Sequence, residues 1–362
     1  MASDAQDLSN KFQREYYPIY DENDVATTLN HLVEYPINEM IVLDEYIKFR
    51  FIPAGHILNS AQLELYITNG NLTKKILYTS DLGNVHIEKH YVDKFEPCNK
   101  ADIVIGESTY GRERHVASQK TREADMLKLK TVIEQTCIEN KSRVMIPVFA
   151  NSRCQELLTS LYLLFGEDPN FRIPVLVDSP MSIRICNAYR ELLSGDDLKL
   201  WEKVLTWKNI VFVTDAMESK AWRDDTRPSV VLCSSGMVTQ GRSVLWARKI
   251  LPRVNDRVVF CGYSAEGSIG AIIKEGKQKT ITIGGTRVKN KCQVTNLTSF
   301  SSHMQFDSLV EYYGSIDCEK IILVHGDEMS KMSIVSSIEE EISKNDRTSK
   351  VIISNKGYSL KI

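Results

Sequence analysis

Residues 101–111 read ADIVIGESTYG: an aliphatic run, Ile103 to Ile105, ends one glycine later in a carboxylate, Glu107, followed by a Ser-Thr-Tyr-Gly turn. A β-branched run without polar alternation predicts a strand buried on both faces, and the residue that stops it lies where strand becomes loop. The same pattern recurs in KKILYTSD (74–81), RVMIPVFANSR (143–153), IPVLVDSP (173–180), NIVFVTD (209–215), SVVLCSSGM (229–237), RVVFCGYSAEG (257–267) and KIILVHGDE (320–328). Helical stretches stand between several of these, including 121–140 and 152–166. The alternation predicts α/β layers with helices covering the strands. Two segments differ. Residues 46–81 alternate with period two around a tight TNGN turn (68–71), and 279–300 do so around IGGT (283–286), so both predict antiparallel pairs. The stretches 141–144 (KSRV) and 225–230 (DTRPSV) read as ordinary surface connections.

The bulk numbers narrow the class. The chain has 362 residues, 43% hydrophobic and 25% charged, with a net charge of −2. These values belong to an ordinary globular protein with room for two or three domains. They exclude a strongly basic protein that coats nucleic acid, though not a basic groove. Eight cysteines are scattered singly, without a CxxC pair, which argues against a thiolate zinc site or a disulfide framework. The polar N-terminus lacks a signal-peptide core, and no apolar run is long enough to span a bilayer. A reduced, cytoplasmic protein without membrane contact is expected.

In layered α/β folds, reacting groups collect where strands end. The titratable residues at such ends are Asp81, Glu107, His303 and His325, and His56 follows its own strand in RFIPAGHILNSAQLELYI (50–67). Taken singly, a strand-end histidine is more often a hydrogen-bonded structural residue, and an aspartate a turn or helix cap. Together, two carboxylates and three imidazoles are the donor inventory of a zinc or manganese site. Residue pattern alone leaves both readings open.

The motifs AGHILNSA (54–61), YTSDLG (78–83), ESTYG (107–111), SFSSH (299–303) and LVHGDE (323–328), in this order, resemble those of the metallo-β-lactamase superfamily nucleases that carry a β-CASP domain. IPVFANSRCQELL (146–158), VDSPMS (177–182), PSVVLCSSGMVTQGRS (228–243) and GYSAEGSIG (262–270) resemble that family's inserted domain. The likeness runs from about Pro18 to the C-terminus. It implies an α/β fold: a metallo-β-lactamase αββα sandwich from residues 1–111 and 298–362, with a Rossmann-like β-CASP domain, 112–297, inserted between them. It implies zinc-dependent hydrolysis of RNA phosphodiester bonds in the cleft between the two domains. His56, Asp81 and His325 match the family's metal ligands, with Asp81 bridging two Zn2+ ions. Asp81, Glu107 and His303 form the implied catalytic group, His303 matching the proton donor that pairs with the active site. Ser152 and Arg153 at a helix start, and the small-residue loop Ser234, Ser235 and Gly236, are the expected contacts for RNA phosphates. The resemblance leaves a homodimer open.

Two departures follow from the same comparison. The family's HxHxDH motif is absent, since the chain contains no His-x-His. The sandwich is therefore expected to be incomplete at its N-terminus, with two protein ligands per ion, weak zinc binding and poor RNA cleavage by this chain alone. A fragment of a complete enzyme, a site completed by a separate polypeptide, and a catalytically impaired RNA-binding or scaffolding homologue all fit that gap. Secondly, Gln305 stands where the family usually has aspartate.

Overall fold

The computed structural model describes residues 17–112, 117–357 and 359. The polar stretch 1–16, on which the absence of a signal peptide was read, lies outside the described residues. In chain order the strands are β1 (Ile41–Val42), β2 (Ile47–Pro53), β3 (Ala61–Asn69), β4 (Leu72–Tyr78) and β5 (Ile103–Glu107), then β6 (Arg143–Pro147), β7 (Val175–Asp178) and β8 (Ile210–Phe212). They continue with β9 (Ser229–Cys233), β10 (Arg257–Phe260), β11 (Thr280–Ile283), β12 (Thr286–Lys289), β13 (Gln293–Asn296), β14 (Lys320–Val324) and β15 (Lys350–Ile353). All eight aliphatic runs form strands.

A mixed seven-stranded sheet has the order β1-β2-β3-β4-β5-β14-β15, and a six-stranded sheet has the order β13-β10-β6-β9-β7-β8. Every pairing in the second sheet is parallel. This is the α/β architecture that the resemblance implies, with the second sheet built wholly from residues between β5 and β14.

The parallel sheet explains its own sequences. On one face Val144, Ile146, Val177 and Leu232 pack with Leu157, Leu161 and Trp201; on the other Met145, Leu176, Val231 and Phe260 pack with Trp246 and Ile250. A strand covered on both sides leaves no position for a polar residue, hence the unbroken runs. Each such side chain contributes roughly 1.5–3 kcal/mol on burial.

The mixed sheet is covered differently. Leu77, Val104, Ile321 and Leu323 face the helices Phe306–Ser315 and Glu328–Lys344 through Leu309, Tyr313, Ile334 and Ile338. The opposite face carries Ile76, Ile103 and Ile322 with half-buried Leu65, Ile67, Ile105, Val324 and Ile352. Among the described residues no second sheet packs there, so the αββα stacking is represented by one sheet and one helical layer.

Three local expectations need correction. KSRV is not a surface connection: Arg143 is 1% exposed and starts β6, its guanidinium paired with buried Asp256. The region 279–300 forms the expected β11–β12 pair, but β13 leaves it to join β10 in parallel. The predicted helix 121–140 runs as Gln119–Ile133 and then relaxes into a π-helical turn, Glu134–Glu139.

Candidate functional site

Strand order assembles the site. β4, β5 and β14 are adjacent and parallel, so their C-terminal ends deliver Asp81, Glu107 and His325 side by side. β2 runs in the same direction as β4, both being antiparallel to β3, and its exit loop supplies His56. His303 arrives from the other direction, after β13 of the parallel sheet, and forms an antiparallel bridge with Gly83. All five titratable residues expected from the sequence therefore meet.

The loops that hold them are laced through the backbone. Gly83 N donates to Ala54 O at 2.9 Å, Asn84 N to Ser302 O at 3.0 Å, and Met304 N to Leu82 O at 2.8 Å. A Cβ on Gly83 would stand 1.7 Å from the Gly55 carbonyl oxygen, so only glycine permits this approach. The backbone turns sharply at each metal-type residue: Gly55 before His56 has φ +69°, Ser80 before Asp81 +54°, and His325 itself +46°. Left-handed conformations at non-glycine residues are costly and concentrate at sites whose surroundings enforce them.

The geometry has an inner and an outer part. Asp81 turns Oδ2 toward His56 Nε2 at 3.9 Å and Oδ1 toward His325 Nδ1 at 3.1 Å. Thr109 Oγ1 also lies 3.1 Å from that His325 nitrogen. One donor atom each of His56, Asp81 and His303 lies within 4.8 Å of the others. The 3.9 Å separation is too long for a hydrogen bond. It is wider than the separation of two donors on one tetrahedral ion with bonds of about 2.0–2.2 Å, so a small closure of the pair would seat both on it. His56 Nδ1 is buried without a hydrogen-bond partner. Burial, then the neighbouring His303 and Lys89, lower the His56 pKa to about 2, which keeps its ring neutral and a lone pair available. These residues fit a divalent ion of borderline softness.

Glu107 supports His303. Its Oε1 lies 3.1 Å from His303 Nδ1, and the carboxylate also accepts from Leu82 N and Thr109 N. Burial would raise its pKa, but His303, Thr109 and Leu82 outweigh burial and hold the carboxyl below its usual value. Tyr313 packs against Gly106 and donates to the Glu107 carbonyl at 2.7 Å, fixing the strand end.

The expected phosphate contacts are placed less uniformly. Ser152 starts the helix Arg153–Phe165 at φ +65° with no side-chain cap. Arg153 turns inward: it is 8% exposed, paired with Glu156, and donates to Ser302 Oγ at 3.1 Å. Its guanidinium is committed to the protein, because a carboxylate in the same helix competes for it. The Ser235 hydroxyl accepts from Thr239 N at 3.1 Å, inside its own loop. Gly236 and Arg153 line one crevice with Phe149 and Tyr263.

Sequence reasoning missed Lys89. Its half-buried side chain donates to the carbonyls of Gly55 and Ser302, both at 2.9 Å, the residues just before His56 and His303. Burial lowers its pKa to about 7. Set in the polar run HIEKHYVDK (86–94), it carries no sequence signal that separates it from a solvated lysine.

Known proteins agree with this architecture. Residues 154–273 match the Beta-Casp domain, and 287–348 match the Zn-dependent metallo-hydrolase RNA specificity domain. An RNase J-like protein of Methanocaldococcus jannaschii is 30% identical over 322 residues, covering 88% of this chain and 73% of that protein. A ribonuclease of Thermus thermophilus is 29% identical over 323 residues, 88% of this chain and 71% of its own length. The transcription termination factor FttA of Methanocaldococcus jannaschii is 28% identical over 358 residues, and there the chain spans only 55% of the relative. No helix among the described residues is long and apolar enough to cross a membrane. The chain belongs to the β-CASP family of RNA-specific metallo-hydrolases.

Proposed function

We propose that the protein is a zinc-dependent RNA-processing nuclease that hydrolyses phosphodiester bonds between a metallo-β-lactamase domain (1–111 with 298–362) and a β-CASP domain (112–297). The observation that carries this reading is Asp81, whose two oxygens face two different imidazoles, His56 and His325, beside a third held by a buried carboxylate. His56, Asp81 and His325 would hold zinc, two ions in the fully loaded site. Zinc supplies Lewis-acid stabilisation of phosphoryl charge and acidifies water. Water attacks phosphorus, the P–O bond to the leaving nucleoside breaks, and His303, oriented by Glu107, gives its proton to the departing oxygen. The loop Ser234–Gly236 and the start of the helix at Ser152 would line the RNA backbone. Eight free cysteines support a reducing, cytoplasmic setting.

The test is cleavage of end-labelled single-stranded RNA by the purified chain with excess Zn2+. Slow cleavage that a chelator stops and Asp81→Asn removes is expected. RNA binding without cleavage at any zinc concentration would transfer the protein to the scaffolding class, and no binding would overturn both readings.

A further inference from the structure

We propose that the two-stranded ribbon β11–β12 is a second RNA-binding surface, a cationic track for the phosphate backbone outside the cleft where cleavage is placed. The inference rests on the proposed reading of the protein as an RNA nuclease and extends it to a separate part of the fold.

Register decides what the ribbon shows. Ile281 pairs with Val288 and Ile283 with Thr286, and Ile281, Ile283 and Val288 are buried in one cluster with Trp246, Ile250 and Ile273. Cross-strand partners share a face, so Thr280 with Lys289 and Thr282 with Arg287 make up the opposite, exposed one. Arg248 donates to the carbonyls of Ile283 and Gly284 at 3.1 and 2.6 Å, which fixes the tip to its helix. At the open end, Asn290 N donates to Lys279 O at 2.9 Å and the Asn290 amide to Gln278 O at 3.1 Å. That tie gathers the exposed Lys277, Lys279, Lys289 and Lys291 at one end of the ribbon. It is the other face of the parallel sheet that packs with Leu58 and Tyr91 of the mixed-sheet half. The ribbon therefore stands clear of the domain junction.

Charge sets this surface apart. The chain has a net charge of −2, yet no aspartate or glutamate occurs from Gly276 to Phe306. Lysines elsewhere stand beside carboxylates, as Lys199 does with Asp196, Lys220 with Asp224 and Lys344 with Glu340. Mixed charge of that kind is an ordinary solvated face. On the ribbon, Lys277 has Glu275 at 3.6 Å, whereas Lys279, Arg287, Lys289 and Lys291 have no counterion among the described residues. Gathered like charges repel and cost stability, and a bound polyanion relieves that cost. Composition points to the kind of polyanion. A protein partner is held by apolar and aromatic anchors, and the outward face of the ribbon has neither. Cations interleaved with the Thr280 and Thr282 hydroxyls are the donors that phosphate oxygens take.

Salt dependence reads these contacts. Fluorescence anisotropy of a labelled single-stranded RNA, titrated with the full chain in EDTA, gives affinity across about 50–200 mM KCl. Each phosphate contact on a single strand adds about 0.7 to the slope of log affinity against log salt. The triple variant Lys279→Gln, Arg287→Gln, Lys289→Gln should bind about 10- to 100-fold more weakly, with a slope shallower by about 2. The control pair Lys199→Gln, Lys220→Gln should bind as the parent does. A second arm needs no variant. Acetic anhydride labelling, read by mass spectrometry, should spare Lys279, Lys289 and Lys291 when RNA is bound, but not Lys199 or Lys220. An unchanged slope in the triple variant, or an equal loss in the control pair, overturns the ribbon surface and leaves the nuclease reading intact. Displacement of the RNA by poly-glutamate at equal charge would make the ribbon a surface for acidic proteins, which also overturns the inference. Failure of the unmodified chain to bind RNA even at the lowest salt overturns both readings.

Discussion

His303 Nδ1 stands 3.1 Å from Glu107 Oε1, and the carboxylate is almost wholly shielded from water. An ionised acceptor in that position fixes both the ring's tautomer and its orientation. Glu107→Gln keeps the shape and removes the charge. The expected result is cleavage of end-labelled RNA in excess Zn2+ slowed about 10- to 100-fold, with far-UV circular dichroism unchanged. An equal cleavage rate in the variant would mean that the carboxylate does not orient the ring.

Gly83 joins the loops of His56, Asp81 and His303 at a point where a methyl group has no room. The obstructing atom is the Gly55 carbonyl oxygen, part of the backbone, so relief requires moving a loop. Gly83→Ala should lose about 1–3 kcal/mol, the usual cost of overpacking, or more. Urea denaturation measures the loss. A variant within about 0.5 kcal/mol of the parent, the range of neutral surface changes, would show that the loops are free to separate.

Arg143 and Asp256 form an ion pair inside the parallel-sheet domain, with side chains 2% and 0% exposed. Arg143 also donates to the carbonyls of Arg223 and Asp225, so its guanidinium bolts β6 to the connection that precedes β9. Removing one partner strands a buried charge. Asp256→Ala should cost about 3–5 kcal/mol, and replacing both partners by apolar residues of similar volume should recover most of it. Guanidinium unfolding of the two single variants and the double variant tests this; additive losses would contradict it.

The contrast between Arg143 and Glu107 shows what was legible in the sequence. Strands could be found because burial on both faces forbids polar residues, and Glu107, Asp81 and His325 could be found because they break such runs at the end. Arg143 precedes a run and looks like any charged residue in a connection; only Asp256, 113 residues away, makes it internal. Lys89 escaped for the same reason, since its partners are backbone carbonyls that leave no trace in side-chain identity. Arg153 was legible as a helix-start cation but not as one already paired. The roles of His303 and His325 depend on which nitrogen faces which oxygen, and no spacing pattern encodes that.

Glu64 gives a pH test away from the site. It sits opposite Arg50 on β2, accepts from Arg50 Nε at 2.8 Å and Lys75 Nζ at 2.5 Å, and its side chain is 2% exposed. Burial pushes its pKa up, but the hydrogen bonds from Lys75 and Arg50 outweigh burial and hold it below the ordinary 4.5. A carboxyl with a depressed folded-state pKa binds fewer protons folded than unfolded. Its contribution is therefore complete above the unfolded value and is lost as pH falls through the folded one. Thermal unfolding of the parent and Glu64→Gln should differ most at pH 6, with the parent more stable. The gap should stay nearly constant down to about pH 4.5, near the unfolded glutamate value, and then narrow. Parallel melting-temperature curves down to pH 3 would show that the Glu64 charge contributes nothing to the pairing of β2 and β3.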